Sequence, residues 1–208
     1  MDFHAWEPIY MRILADFGFS RQADEHAARI LSSLADNPAH PAILQEAIAG
    51  EDVSICGAAD TLEREIADLA SVVVAADEAT SVLLRHDVQP DVIVTDLDGT
   101  VDDQIQASRQ GSIAVIHAHG DNIDALRRHV PRFTGPVVPT TQAAPFDSVY
   151  NFGGFTDGDR AYFLARACDA ASITLHGFDF EHPVRKPGKN LAVKQKKLRW
   201  ARHLIETY

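Results

Sequence analysis

The sequence predicts an α/β fold: a Rossmann-like, mostly parallel sheet flanked by helices, with an N-terminal helical extension. Three observations lead there. From Asp52 onward, short apolar runs alternate with segments of helical periodicity, the pattern of βαβ units. Runs such as Val72-Val73-Val74-Ala75 and Val92-Ile93-Val94-Thr95 offer no polar face, as strands covered by helices on both sides must. Several of these runs stop at acidic residues, Asp77, then Asp96 and Asp98, then Asp121, on the edge where open parallel sheets bind ligands.

Taken in order, residues from about Phe3 to Leu34 read as helical, with Ile9, Ile13, Leu14 and Phe17, then Ala27, Ile30, Leu31 and Leu34, at helical spacing. Asn37-Pro38 and Pro41 interrupt, and a short helix follows from Leu44 to Ile48. Strands are expected at Val53 to Cys56, Val72 to Ala75, Val92 to Thr95, Ile113 to Ile116, Pro136 to Pro139 and Ile173 to His176. The helices between them are expected near Leu62 to Leu69, Thr80 to His86, Asp102 to Arg109, Ile123 to His129 and Asp159 to Ala170, with a last one from Leu191 to Glu206. The division is residues 1–50 as N-terminal helical extension and 51–208 as the α/β domain.

Composition narrows the function. A chain of 208 residues suffices for one well-buried principal domain, and 46% hydrophobic with 24% charged residues is ordinary for a soluble protein. No apolar run approaches the ~18 residues of a membrane span, and the N-terminal residues lack the basic-then-apolar pattern of a secretory signal, so a cytoplasmic protein is expected. Cys56 and Cys168 lie far apart in apolar surroundings and read as reduced, buried thiols. A net charge of −11 argues against a nucleic-acid surface. Every lysine, Lys186, Lys189, Lys194, Lys196 and Lys197, falls in one late segment beside a Pro187-Gly188 turn. That segment is either a solvated helix face or a cationic wall for a polyphosphate.

The sharpest motif is Asp96-Leu97-Asp98-Gly99-Thr100 at a strand end, where two carboxylates reach one metal if the backbone turns, as Gly99 permits. It also resembles the first motif of haloacid-dehalogenase-type phosphatases, with Asp96 as nucleophile. That family carries the motif on its first strand, whereas two strands precede it here. His117-Ala118-His119-Gly120-Asp121-Asn122 invites a zinc reading, since alternate strand residues share a side and His176 or His182 would complete the set. The barrel such hydrolases use does not fit in this chain, so Asp121 is assigned to Mg²⁺ or substrate and the histidines to phosphate contacts or rim packing. Gly57-Ala58-Ala59-Asp60-Thr61 opens a helix and offers backbone amides to an anion, unless Asp60 or Thr61 is simply its cap. Gly153-Gly154-Phe155-Thr156-Asp157-Gly158-Asp159-Arg160 packs small, acidic and basic groups at a helix start and reads as a ligand loop.

Together Ala76-Asp77, the Pro90 to Gly99 run, His117 to Asn122, Gly153 to Ala161 and Gly177-Phe178-Asp179-Phe180 closely resemble the archaeal 6-hydroxymethyl-7,8-dihydropterin pyrophosphokinases, relatives of thiamine pyrophosphokinases. The chain departs from that pattern at Gly57-Ala58-Ala59-Asp60 and at Asp77-Glu78-Ala79. The resemblance implies Mg²⁺-dependent transfer of diphosphate from ATP to a pterin hydroxymethyl group, releasing AMP, in folate or methanopterin-type cofactor synthesis. It implies Asp77, Asp96, Asp98, Asp121 and Asp157 as metal ligands, direct or through water. Asp96, Asp98, Asp121 and Arg160 would be catalytic. Gly57, Asp77, His119, Asn122, Thr156, Asp157, Asp159, Lys186, Lys189 and Lys194 would bind ATP. ATP and a pterin are the expected partners, with neither nucleic acid nor membrane; a homodimer stays open, and so does a nucleotide-binding module without turnover.

Overall fold

The computed structural model describes residues 1–182 and 190–208. Six strands form one sheet: β1 (Asp52–Cys56), β2 (Val72–Ala76), β3 (Val92–Thr95), β4 (Ile113–Ala118), β5 (Val137–Thr141) and β6 (Ser172–His176), in the order β5-β4-β3-β2-β1-β6. Every pairing is parallel, with Val53 opposite Val72 and Ile173, Val92 opposite Ile113 and Ala114 opposite Val137. Nine α-helices occur among the described residues: α1 (Phe3–Phe17), α2 (Arg21–Leu34), α3 (Ala42–Ile48), α4 (Leu62–Glu65), α5 (Ala79–Arg85), α6 (Val101–Arg109), α7 (Ile123–His129), α8 (Asp157–Ala167) and α9 (Leu191–Thr207). The expected α/β architecture with helices ahead of the first strand is the one found.

Successive strand residues face opposite ways, and the core divides accordingly. Val53, Ile55, Val72, Val74, Val92 and Val94 meet Ala161 and Leu164 of α8 and Leu44 and Ile48 of α3. On the other face Ala114, Ile116 and Val137 meet Ala27 and Leu31 of α2 and Leu126 of α7, while Cys56, Val73 and Ala75 meet Leu62 and Leu83. Strands β1 to β5 therefore step outward in one direction, and the chain returns through α8 across the opposite face to set β6 beside β1. Right-handed crossovers dictate that change of face when the direction of stepping reverses.

The helical run expected from Phe3 to Leu34 is two helices. Gly18 adopts φ 68°, a left-handed turn open to glycine, and its N–H caps Leu14; Ser20 then begins α2 by accepting from Ala23 N at 3.3 Å. The bend lets α1 turn away, where Trp6, Tyr10 and Ile13 pack with Phe155, Phe163 and Leu204 of α9. Strands β4 and β5 run past their expected ends at Ile116 and Pro139, and the helix expected to Leu69 relaxes into a 3₁₀ turn after Glu65. Cys56 and Cys168 are buried free thiols, and burial pushes them up to about 12 and about 11 respectively. No helix among the described residues is long and apolar enough to cross a membrane.

Candidate active site

The carboxylates gather where the strands stop. Asp77 follows β2, Asp96 follows β3, and Asp157 opens α8, which crosses that edge on its return. One oxygen from each lies within 4.8 Å of the others, the one such group of three His, Cys, Asp or Glu side chains among the described residues. Carboxylates this close repel in the absence of a cation, and an all-oxygen donor set is what hard divalent ions take. The arrangement can bind a metal ion.

Local backbone builds the group. Thr95 Oγ1 donates to Asp77 Oδ1 at 3.0 Å and accepts from Leu97 N at 2.9 Å, while Gln104 Nε2 donates to the same Asp77 oxygen at 3.0 Å. Leu97 takes φ 66° and buries its side chain between the exposed Asp98 and the sheltered Asp96. Gly99 passes so close to Asp77 that a Cβ there would lie 2.7 Å from its Oδ2. On the next element Thr156 and Asp159 form a capping box that starts α8: Asp159 accepts from Phe155 N at 2.6 Å, from Thr156 N at 2.8 Å and from the Thr156 hydroxyl. Arg160 then reaches Asp157 Oδ1 through Nη1 at 3.0 Å and Gln142 Oε1 through Nη2 at 3.4 Å.

Protonation follows from these contacts. Burial opposes ionisation of Asp96, yet the His119 hydrogen bond and the charges of Arg160 and Lys197 outweigh it and hold its carboxyl well below the usual range. Burial, then the charge of Asp96, pushes Asp157 the other way, well above the ordinary range, against the pull of Arg160. His119 Nδ1 accepts from Asp121 N at 3.3 Å, which places its proton on Nε2, 3.2 Å from Asp96 Oδ2. His117 Nδ1 instead meets Thr140 Oγ1 at 3.1 Å, and burial drives its imidazole well below the usual value, toward the neutral form.

In front of the triad opens a cavity of about 530 Å³, in the range of small-molecule sites. Of the residues singled out from sequence, Asp77, Asp96, Asp98, His119 and Asp121 line it from the strand ends, Thr156, Asp157 and Arg160 from α8, and Lys194 from α9. Three others sit elsewhere. Gly57 packs against Gly177 and Phe178, its N–H given to His176 O at 2.8 Å. Asn122 braces the β4 loop, donating to the carbonyls of Asp96 and His117 and accepting from His119 N. Asp159 serves as the cap just described. Lys186 and Lys189, with the Pro187-Gly188 turn, lie outside the described residues. The histidines of the zinc reading do not converge: His176 faces Glu65 and His182 faces Asp179.

Sequence reasoning missed the wall supplied by the N-terminal helices. Phe19 and Asp24 line the cavity, and buried Asp24 accepts from Tyr10 OH at 2.7 Å, Gln142 Nε2 at 2.8 Å and Gly120 N at 2.8 Å. The signal was present, since Asp24, Ala27, Ala28 and Leu31 follow one helical stripe and only Asp24 on it is charged.

A model of the family described as 6-hydroxymethylpterin diphosphokinase MptE-like matches residues 28–185. Three curated archaeal proteins, each named 6-hydroxymethyl-7,8-dihydropterin pyrophosphokinase, align along nearly the whole chain. The Methanothermobacter thermautotrophicus protein is 41% identical over 99% of this chain and 94% of its own length. The Pyrococcus furiosus protein is 42% identical with the same coverage, and that of Methanocaldococcus jannaschii 35% identical over 99% of this chain and 95% of its own. With most of its length matched by that model and by these relatives, the chain belongs to the 6-hydroxymethylpterin diphosphokinase MptE-like family.

Proposed function

We propose that this protein transfers diphosphate from ATP to the hydroxymethyl group of 6-hydroxymethyl-7,8-dihydropterin, releasing AMP, with Mg²⁺ held by Asp77, Asp96 and Asp157. The observation that carries the reading is the carboxylate triad facing a cavity sized for small molecules, in a chain whose relatives bear that enzyme's name. Bound there, Mg²⁺ would supply positive charge that offsets that of the phosphates. The donor set suits it, being wholly carboxylate.

The protein's own groups do the rest. His119, donating to Asp96, and Arg160, donating to Asp157, fix the orientation of two ligand carboxylates. Asp98 and Asp121, exposed on the same cavity, would add negative charge that favours a bound cation. Catalysis by such a site is mainly positioning and charge compensation. The deciding experiment incubates the protein with ATP, Mg²⁺ and the pterin and identifies the nucleotide formed. AMP is expected; ADP would mean transfer of a single phosphoryl group and refute the reading, and phosphate released from simple phosphomonoesters without the pterin would favour a phosphatase using Asp96.

A further inference from the structure

The cavity has two chemically different ends. One is the acidic group of Asp77, Asp96, Asp98 and Asp157. The other is apolar: Phe19 from the α1–α2 turn and Phe155 ahead of α8, with ring centroids 6.5 Å apart, faced by Val193 and Leu198 of α9. Under the function proposed above, a diphosphate lies over the acidic end and a flat heterocycle against the apolar end. The reacting bond therefore falls at the seam between them.

Lys197 stands at that seam. It lines the cavity half-buried, with Nζ 5.6 Å from the Phe155 ring centroid and 6.0 Å from that of Phe19. Asp96 and Asp157 line the same cavity. The neighbouring Lys196 is committed elsewhere, with Nζ 2.7 Å from Asp16 Oδ1 and 2.6 Å from Asp16 O. Among the described residues Lys197 has no ion pair. Lys194 lines the same cavity one helical turn earlier.

We propose that Lys197 is a catalytic residue whose ammonium group, held against the faces of Phe19 and Phe155, binds the diphosphate as it passes from ATP to the hydroxymethyl oxygen. This rests on the function proposed above. In the step, that oxygen forms a bond to the β-phosphorus. The bond from the β-phosphorus to the oxygen bridging to the α-phosphate breaks, its electron pair leaving with AMP, and the hydroxyl proton is released to water. Negative charge spreads over the phosphoryl oxygens in the transition state, and a compact ammonium answers it without imposing a plane. The rings hold the cation by its attraction to their faces, so no protein carboxylate has to be displaced before the substrate arrives.

Lys197→Met keeps the stem and removes the charge. Its kcat is expected to fall about 100-fold, the scale of losing one transition-state contact, with the KM for the pterin little changed and Lys197→Arg recovering much of the loss. A second readout needs no turnover. Inorganic pyrophosphate with Mg²⁺, titrated calorimetrically, is expected to bind Lys197→Met about tenfold more weakly than wild type or Lys196→Met. Near-wild-type kcat in Lys197→Met, or unchanged pyrophosphate binding, overturns the assignment. So do equal losses in the Met and Arg variants, because stem packing and not charge would then be the cause; rates are normalised to the folded fraction measured by circular dichroism. Absence of AMP from wild type with ATP and pterin would defeat the proposed reaction instead, and the pyrophosphate titration would still decide whether Lys197 binds a diphosphate.

Discussion

Asp96 and Asp98 are one residue apart and differ in what their loss would do. Asp98 is exposed, so Asp98→Asn is expected to shift the melting temperature by no more than about 2 °C while lowering turnover about 100-fold; a large melting shift with activity kept in the folded fraction would make Asp98 a turn residue only. His117 gives a prediction of different kind. Burial first, then the charge of Arg160, keeps its imidazole neutral in the fold, whereas the unfolded chain takes up a proton there below about pH 6.5. The unfolded state thus binds more protons, and stability falls as pH drops through that value, by up to about 1.4 kcal/mol per unit. Urea titrations of His117→Gln at pH 7 and pH 5 are expected to show a smaller loss on acidification than wild type, and equal losses would refute the assignment. At this scale the acidic strand ends were legible because carboxylates that close several buried apolar runs repel one another unless a cation or ligand meets them. The histidine pair does lie close, with ring centroids 6.3 Å apart, but each ring is engaged by a different neighbour and no third histidine among the described residues joins them. His117 leans to Thr140 of β5 and His119 to Asp96 beyond β3, the two opposite neighbours of β4.

At the scale of elements, the helices ahead of β1 are joined to the strand edge through Asp24. Three donors from three segments converge on its carboxylate: Tyr10 of α1, Gly120 after β4 and Gln142 after β5. Asn at this position has one acceptor oxygen and turns an NH₂ group toward a donor, at a cost of about 1–3 kcal/mol. Asp24→Asn is therefore expected to lower the melting temperature by roughly 2–12 °C. Turnover is expected to fall beyond the folded fraction, because Gln142 also receives Arg160. Tyr10→Phe removes one of the three bonds and is expected to cost less; the reverse order in thermal denaturation would place the weight on Tyr10. Element types were readable from periodicity, and β3 and α7 were placed to the residue. The break at Gly18 was not, because both flanking helices keep apolar residues in helical register and one glycine barely perturbs that pattern. The contribution of α2 to the cavity was hidden for another reason: contacts between Asp24 and Gln142 span a sequence separation that no local pattern records.

For the whole molecule, the triad predicts linkage between metal and fold. An ion binding only the native state at a hundred times its dissociation constant adds about 2.7 kcal/mol, or roughly 5–11 °C in melting temperature. Mg²⁺ is expected to raise the wild-type melting temperature on that scale and leave Asp96→Asn almost unmoved, while a zinc-selective chelator leaves turnover intact; tightly bound stoichiometric zinc would overturn the oxygen-ligand assignment. The parallel sheet was foreseen, but the position of β6 beside β1 was not, since strand order depends on which face a crossover takes. The packing of Trp6 and Ile9 with Leu204 joins α1 to α9. During synthesis the ribosome has delivered every carboxylate of the acidic end well before α9 begins at Leu191. The wall opposite them, with Lys197 and the partner surface for α1, is translated later. Under the function proposed above, the candidate metal ligands are thus made before the lysine of α9, and turnover of ATP is expected only once α9 has packed against α1.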